Sequence, residues 1–417
     1  MSIILKSAKV IDAESNYHGS KQDILISNGK IKKIAKSISS KGSKEISIEG
    51  LHVSKGWLDS SVSFGEPGFE ERETIVNGGY VAGKSGFTDI ILNPNTNPII
   101  DTQADISFIK LKSKNIVSNI HPLGALSKGS NSLELAELRD MKESGAIGFY
   151  DYKKSIENSN LLKTALLYTQ TFDSLIFSFP MEKSISKNGV INEGLTSTSY
   201  GIKGIPAICE EIQINRDLKI LEYTGGRLHI PTISCKSSVD LIRQAKNKGL
   251  NITCSVAIHN LIFNDEKLRD FDTRFKVLPP LRTELDRKAL IKGVEDGTID
   301  LVTSDHSPVD VDHKKMDIDS AEFGTIGLES FFGALLSVFD LNTTIKILTS
   351  GKTIFNILDY KIEEGSTANF SLFKIDNEFT FSKSDIFSKS KNSAFIGKKM
   401  KGVPIGIIVN DMFLINE

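Results

Sequence analysis

Asp59, Ser61 and Ser63 alternate along Trp57–Ser63, a short run that ends in the turn Gly65-Glu66-Pro67-Gly68. Strand side chains alternate faces, so these three polar groups point the same way. Three polar residues on one face of a buried strand are unusual, and at the C-terminal end of a barrel strand they face an active site. Asp305, at the end of the run Asp300–Asp305, has the chemistry of a general base. A base needs a nucleophile to activate, and the sequence offers no evident metal-bound water and no Ser-His-Asp order. The other reading of Asp305 is a carboxylate hydrogen-bonded to hydroxyls such as Ser61 or Ser63, since buried carboxylates need partners.

The chain has seven histidines. His121, His259 and His306 fall near the ends of strand-like runs and could combine with Asp305 and Asp151 into a metal site, but no spacing pins three or four ligands to one point. Local hydrogen bonding is the alternative for them. His229 lies three residues before Thr232, which predicts the opposite strand face and a structural role. Cys209, Cys235 and Cys254 lack metal-type spacing and read as reduced core residues. Gly324-Thr325-Ile326-Gly327 lacks the Lys-Ser/Thr that closes a phosphate loop.

The elements that must position these groups follow from the apolar runs. Eight strand-length runs recur, most of them about 25 to 30 residues apart, the spacing of βα units. They are Trp57–Ser63, Phe87–Leu92, Ile116–Pro122, Ala146–Asp151, Ser174–Phe179, Arg227–Ser234, Ile252–Ile258 and Asp300–Asp305. Helical patterns such as Ser238–Lys248 and Thr283–Asp296 lie between them. This predicts an α/β chain with a (β/α)8 TIM barrel over residues 54–354. Residues 1–53 and 355–417 carry short β patterns, and Asn28-Gly29 marks a tight hairpin. The two ends are expected to build one small β domain. With 51 basic and 52 acidic residues, the charge gives no prior for nucleic acid or an anionic membrane. No apolar N-terminal run suits a signal peptide or a spanning helix, so a cytoplasmic protein is expected.

Asp59 to Gly68 resembles the motif that opens the barrel of dihydroorotases and related cyclic amidohydrolases, Asp-x-His-x-His-x-Arg-Glu-Pro-Gly. Asp59, Glu66, Pro67 and Gly68 match, while Ser61, Ser63 and Gly65 stand where that family has two histidines and an arginine. Further resemblances follow in order along the chain: Asn93-Pro94-Asn95-Thr96, Asn192-Glu193-Gly194, Gly204-Ile205-Pro206-Ala207, Pro279-Pro280-Leu281-Arg282, Ser304-Asp305-His306-Ser307-Pro308, Phe323 to Glu329, and Ser388 to Lys401.

The resemblance implies a zinc centre at the barrel mouth in active members. Its four histidine positions fall here on Ser61, Ser63, Ser178 and Thr232, and its strand-four aspartate on Asp151 or Tyr152. Asp305 is kept, as a vestigial catalytic residue, and Asn95 is kept from the substrate shell. Leu278 and Val309 replace an asparagine and a histidine of that shell. Hydroxyls are poor zinc ligands, so neither metal nor cofactor is expected. The implied role is a catalytically inactive dihydroorotase-like protein of pyrimidine biosynthesis, a homodimer that serves as a scaffold for aspartate transcarbamoylase. The alternatives are an active dihydroorotase or other cyclic amidohydrolase with a divergent zinc centre, and a small-molecule binding module in the vacated pocket.

Overall fold

The computed structural model describes residues 2–39 and 42–416. All eight runs become parallel strands: Trp57–Val62, Phe87–Leu92, Asn119–Pro122, Gly148–Tyr150, Leu175–Phe177, Arg227–Ile230, Ile252–Ala257 and Leu301–Thr303. The first three form one sheet and the last five another, each in chain order. Single parallel bridges, Gly124 to Phe149 and Val62 to His306, join the two sheets at both seams. The strands therefore follow one another round a ring, with the fourth and the eighth on opposite sides.

Both faces of these strands are covered, which is why they read as near-continuous apolar runs. Leu58, Ile91, Leu123, Tyr150, Leu175, Phe177 and Leu301 pack with one another inside the ring. Their neighbours Ile90, Phe149, Ile176 and Val302 belong to the larger core beneath the outer helices. Lys236–Asn247 is one of those helices and buries Val239, Ile242 and Ala245. Glu284–Glu295 is another, started by a capping box between Thr283 and Asp286.

The two chain ends meet in one eight-stranded sheet. His52–Lys55 pairs in parallel with the first strand, Ser2–Ile11, and antiparallel with Asn369–Thr380 from the other end. The sheet has its own core, including Ile3, Leu5, Ile24, Val53, Phe370 and Leu372. The expected hairpin forms: Lys21–Ser27 pairs with Lys30–Ala35, and Asn28 and Gly29 take the positive φ values of 51° and 69° that such a turn requires.

A buried polar knot ties this sheet to the base of the ring. Asp89 of the second ring strand accepts from His121 Nε2 at 2.9 Å and contacts Lys352 Nζ at 2.8 Å. Thr88 Oγ1 also donates to Asp89, and Lys352 reaches Asn369 Oδ1 of the terminal sheet at 3.3 Å. Burial works against the Asp89 carboxylate, but the Lys352 and His121 charges and hydrogen bonds hold its pKa well below the usual range.

Candidate active site at the strand ends

The C-terminal ends of the ring strands gather a connected set of polar side chains. Ser61 Oγ donates to Asp305 Oδ1 at 3.3 Å. Asn93 Nδ2, after the second strand, donates to Ser61 Oγ at 3.1 Å and to Ser63 Oγ at 3.2 Å. Asp59 accepts from Thr303 Oγ1 at 2.5 Å and from the Ser304 backbone at 3.2 Å. Asp59 Oδ1 also accepts from the Ser61 backbone at 3.3 Å, which joins Asp59, Ser61 and Ser63 in one network, while a register irregularity between Asp59 and Val62 breaks the strict alternation expected of them. Burial outweighs the hydrogen bonds to Asp59 and pushes its pKa up to about 6.

Lys153 is the residue that sequence reasoning missed. It follows the fourth strand and sends Nζ to Asp305 Oδ2 at 2.8 Å. Its side chain is 12% exposed and that of Asp305 2%. Burial lowers the Lys153 pKa, but the Asp305 carboxylate and the Tyr152 hydroxyl raise it by more, so the ammonium stays charged. Burial raises the Asp305 carboxyl, with Lys153 and Ser61 acting against it. The ion pair is the form that satisfies both groups at this distance. Lys153, Thr232 and Asp305 all have left-handed backbone, with φ of 53°, 48° and 47°. Strained backbone of this kind concentrates at functional sites. The first lysine of Asp-Tyr-Lys-Lys gives no hint in sequence of a partner 152 residues away.

Several expected residues are placed elsewhere. Asp151 does not reach the site, because it accepts from the backbone of Leu126 and Ser127 and from Ser127 Oγ, fixing the loop after the third strand. Ser178 points outward and donates to Asp217 Oδ2, on the helix Ile208–Thr224, at 2.6 Å. The alternation Leu175, Phe177, Phe179 occupies the inner face at that strand and leaves Ser178 to the helices. His229 lies inside the ring, tilted against the Phe177 ring and hydrogen-bonded to Thr253 and Ser255. Burial keeps it neutral, with a pKa down to about 3, so its role is structural.

The candidate histidine set is dispersed. His121 belongs to the Asp89 knot at the base. His306 Nδ1 accepts from the backbone of Gly327 and Leu328. His259 is fully buried with neither ring nitrogen hydrogen-bonded, and burial, then the charges of Lys153 and Lys314, bring its pKa to about 3. Among the described residues, no group of three or more His, Cys, Asp or Glu is placed to hold a metal ion. Thr232 Oγ1 and Asn95 Oδ1 are buried without a hydrogen bond.

The donor set does not fit zinc. The groups beside Asp305 are two serine hydroxyls, an amide and an ammonium, where zinc takes imidazole, thiolate or carboxylate. Two further buried lysines lie close by: Lys314 Nζ donates to the carbonyls of Lys276 and Glu322, and Lys276 Nζ to those of Ile318 and Asp319. Burial, then the charges of Lys276 and Lys153, pull Lys314 down to about 7. Gly65, where the resembling motif has arginine, sits at φ 99°, a backbone that strains any larger side chain.

The motif residues that remain do structural work instead. Arg282 donates to Asn192 Oδ1, the Ile205 carbonyl and Ser234 Oγ, tying a short two-stranded sheet to the segment after the sixth ring strand. Asn392 donates to the carbonyls of Ser307 and Gly324 and accepts from the Val309 backbone. Glu329 accepts from both the backbone and the hydroxyl of Ser388.

This ring and terminal sheet match solved structures across nearly the whole chain. L-Hydantoinase (dihydropyrimidinase) from Arthrobacter aurescens superposes with a TM-score of 0.84, at 22% identity, covering 99% of this chain and 96% of that one. Dihydropyrimidinase from Brevibacillus agri gives 0.82 at 18% identity, covering 100% and 95%. The chain thus shares the fold of these two proteins. Within it, the dihydro-orotase-like family model matches residues 51–238. A dihydroorotase of Pelotomaculum thermopropionicum is 35% identical over 424 residues, covering 100% of this chain and 99% of the relative. One of Thermoanaerobacter sp. is 38% identical over 411 residues, covering 97% and 95%. The chain belongs to the dihydroorotase family.

Proposed function

We propose that this chain is a catalytically inactive member of its family, acting in pyrimidine biosynthesis as a cytoplasmic, homodimeric scaffold for aspartate transcarbamoylase. We read the ring as a (β/α)8 barrel, with residues 54–354 as its domain and residues 1–53 and 355–417 as the small β domain. The observation that carries the loss of activity is the Lys153–Asp305 pair. Hydrolysis of a cyclic amide on a metal centre needs a polarised carbonyl and a metal-activated water, with a carboxylate free to move the proton. Here the carboxylate is bound to a fixed cation, and its other side-chain partner is the Ser61 hydroxyl. The scaffold role and the partner rest on family likeness, together with motif residues that brace the surrounding backbone. No described helix is long and apolar enough to cross a membrane.

Two measurements test the proposal. The purified chain is assayed with dihydroorotate and with carbamoyl aspartate, with and without added zinc, and the expected rate is background. Turnover at ordinary enzymatic rates, abolished by Asp305→Ala, establishes the divergent active enzyme instead. A pull-down from the native cell is expected to recover aspartate transcarbamoylase, and its absence removes the scaffold role.

A further inference from the structure

We infer that Lys153 is the built-in cation of the strand-end site, with its ammonium standing beside Asp305 where a divalent metal would have to sit. The inference rests on the reading that the native site takes no metal, and adds what excludes it.

Three observations carry it. Lys153 follows the fourth strand and Asp305 the eighth, on opposite sides of the ring, so their 2.8 Å contact spans its mouth. A side chain laid across that centre both neutralises the carboxylate and fills the space. Second, the cation is held from several sides. Its backbone is fixed at φ 53°, the Tyr152 ring lies 5.3 Å from Nζ, and Asp305 is itself held by Ser61. Third, Lys276 and Lys314, in the loops after the seventh and eighth strands, bring two more buried amines to the same end of the ring, each donating to backbone carbonyls. A dication entering there meets the Lys153 ammonium and a carboxylate already paired. Loss of histidines alone therefore does not describe the site; a positive charge has been built in as well.

The test separates the added charge from the missing ligands. Ser61→His/Ser63→His supplies two imidazoles next to Asp305, and is made with Lys153 retained and with Lys153→Met, which adds no ligand. Zinc affinity is measured by competition with a chromophoric chelator, after circular dichroism shows both proteins folded. Zinc is expected to bind at least about 100-fold more tightly in the Lys153→Met background, because a like charge at contact distance is removed. Equal affinity in the two backgrounds, whether tight or undetectable, overturns the inference.

A second measurement does not depend on new ligands. Lys153→Met and Asp305→Asn, singly and together in the otherwise native chain, form a thermal-unfolding cycle. Each single change is expected to lower Tm, and the double variant to melt above both, because it leaves no unpaired charge. Additive losses overturn the inference. Zinc bound by the unaltered chain would instead sink the reading on which it rests, whatever the cycle shows.

Discussion

Lys352→Met tests the knot between the ring and the terminal sheet. Lys352 and Asp89 are 1% and 3% exposed and 2.8 Å apart. At an effective dielectric of about 20, two unit charges at that distance attract by roughly 6 kcal/mol, most of it offset by the cost of burying them. Replacing the lysine removes the attraction and leaves the carboxylate buried. His121, Asn119 and Thr88 still contact Asp89, which limits the damage. The expected loss is about 3 to 5 kcal/mol, the usual cost of breaking a buried pair from one side. Urea denaturation at pH 7.5 measures it through the shift in midpoint at constant m-value. Lys352→Met/Asp89→Asn should recover at least half of the loss. The Asp89 pKa is depressed in the folded state, so its stabilisation is present above the unfolded pKa and is lost as pH falls toward the folded one. The Lys352→Met penalty should therefore shrink at acid pH. A loss below about 1 kcal/mol, or a penalty constant with pH, would refute the reasoning.

Two further changes probe neighbouring sites. The Asp59 pKa is raised to about 6 when folded, so its cost is absent at low pH and grows as pH rises through the window from 3.8 to about 6. Asp59→Asn should gain on the native chain by about 2 kcal/mol between pH 4 and pH 7, a swing read by denaturation at the two pH values; no swing would mean the carboxylate is not destabilised. Gly56→Ala should destabilise by about 2 kcal/mol or more in the same assay, because a Cβ there would lie 1.8 Å from Asn369 Oδ1 and 2.1 Å from Thr88 Oγ1, both members of the Lys352 knot. Full native stability would show that the knot yields freely.

The strands were legible because parallel strands covered on both faces leave unbroken apolar runs, and Phe87–Leu92 matches to the residue. Strand ends were less so. The expected Arg227–Ser234 stops at Ile230, since the backbone turns left-handed at Thr232 and Ser234 is drawn off to Glu210. At the site, the contact of Asp305 with Ser61 was readable from alternation and the need of a buried carboxylate for a partner. Ser178 was misplaced because it was assigned by motif order, and the apolar residues around it hide which strand face is inward. Lys153 could not be found by spacing, since only the ring brings the ends of its fourth and eighth strands together. Asp151, two residues before it, falls on the strand-four aspartate of the resembling motif, yet it serves a neighbouring loop.

The most direct test of the central claim is the zinc content of the unaltered chain. Protein purified without chelator, then equilibrated with micromolar zinc and desalted, is analysed by mass spectrometry for metal per chain. The Lys153–Asp305 pair predicts far less than one zinc per chain, unchanged in Asp305→Ala. One or two tightly held zinc ions, lost in Asp305→Ala, would contradict the account.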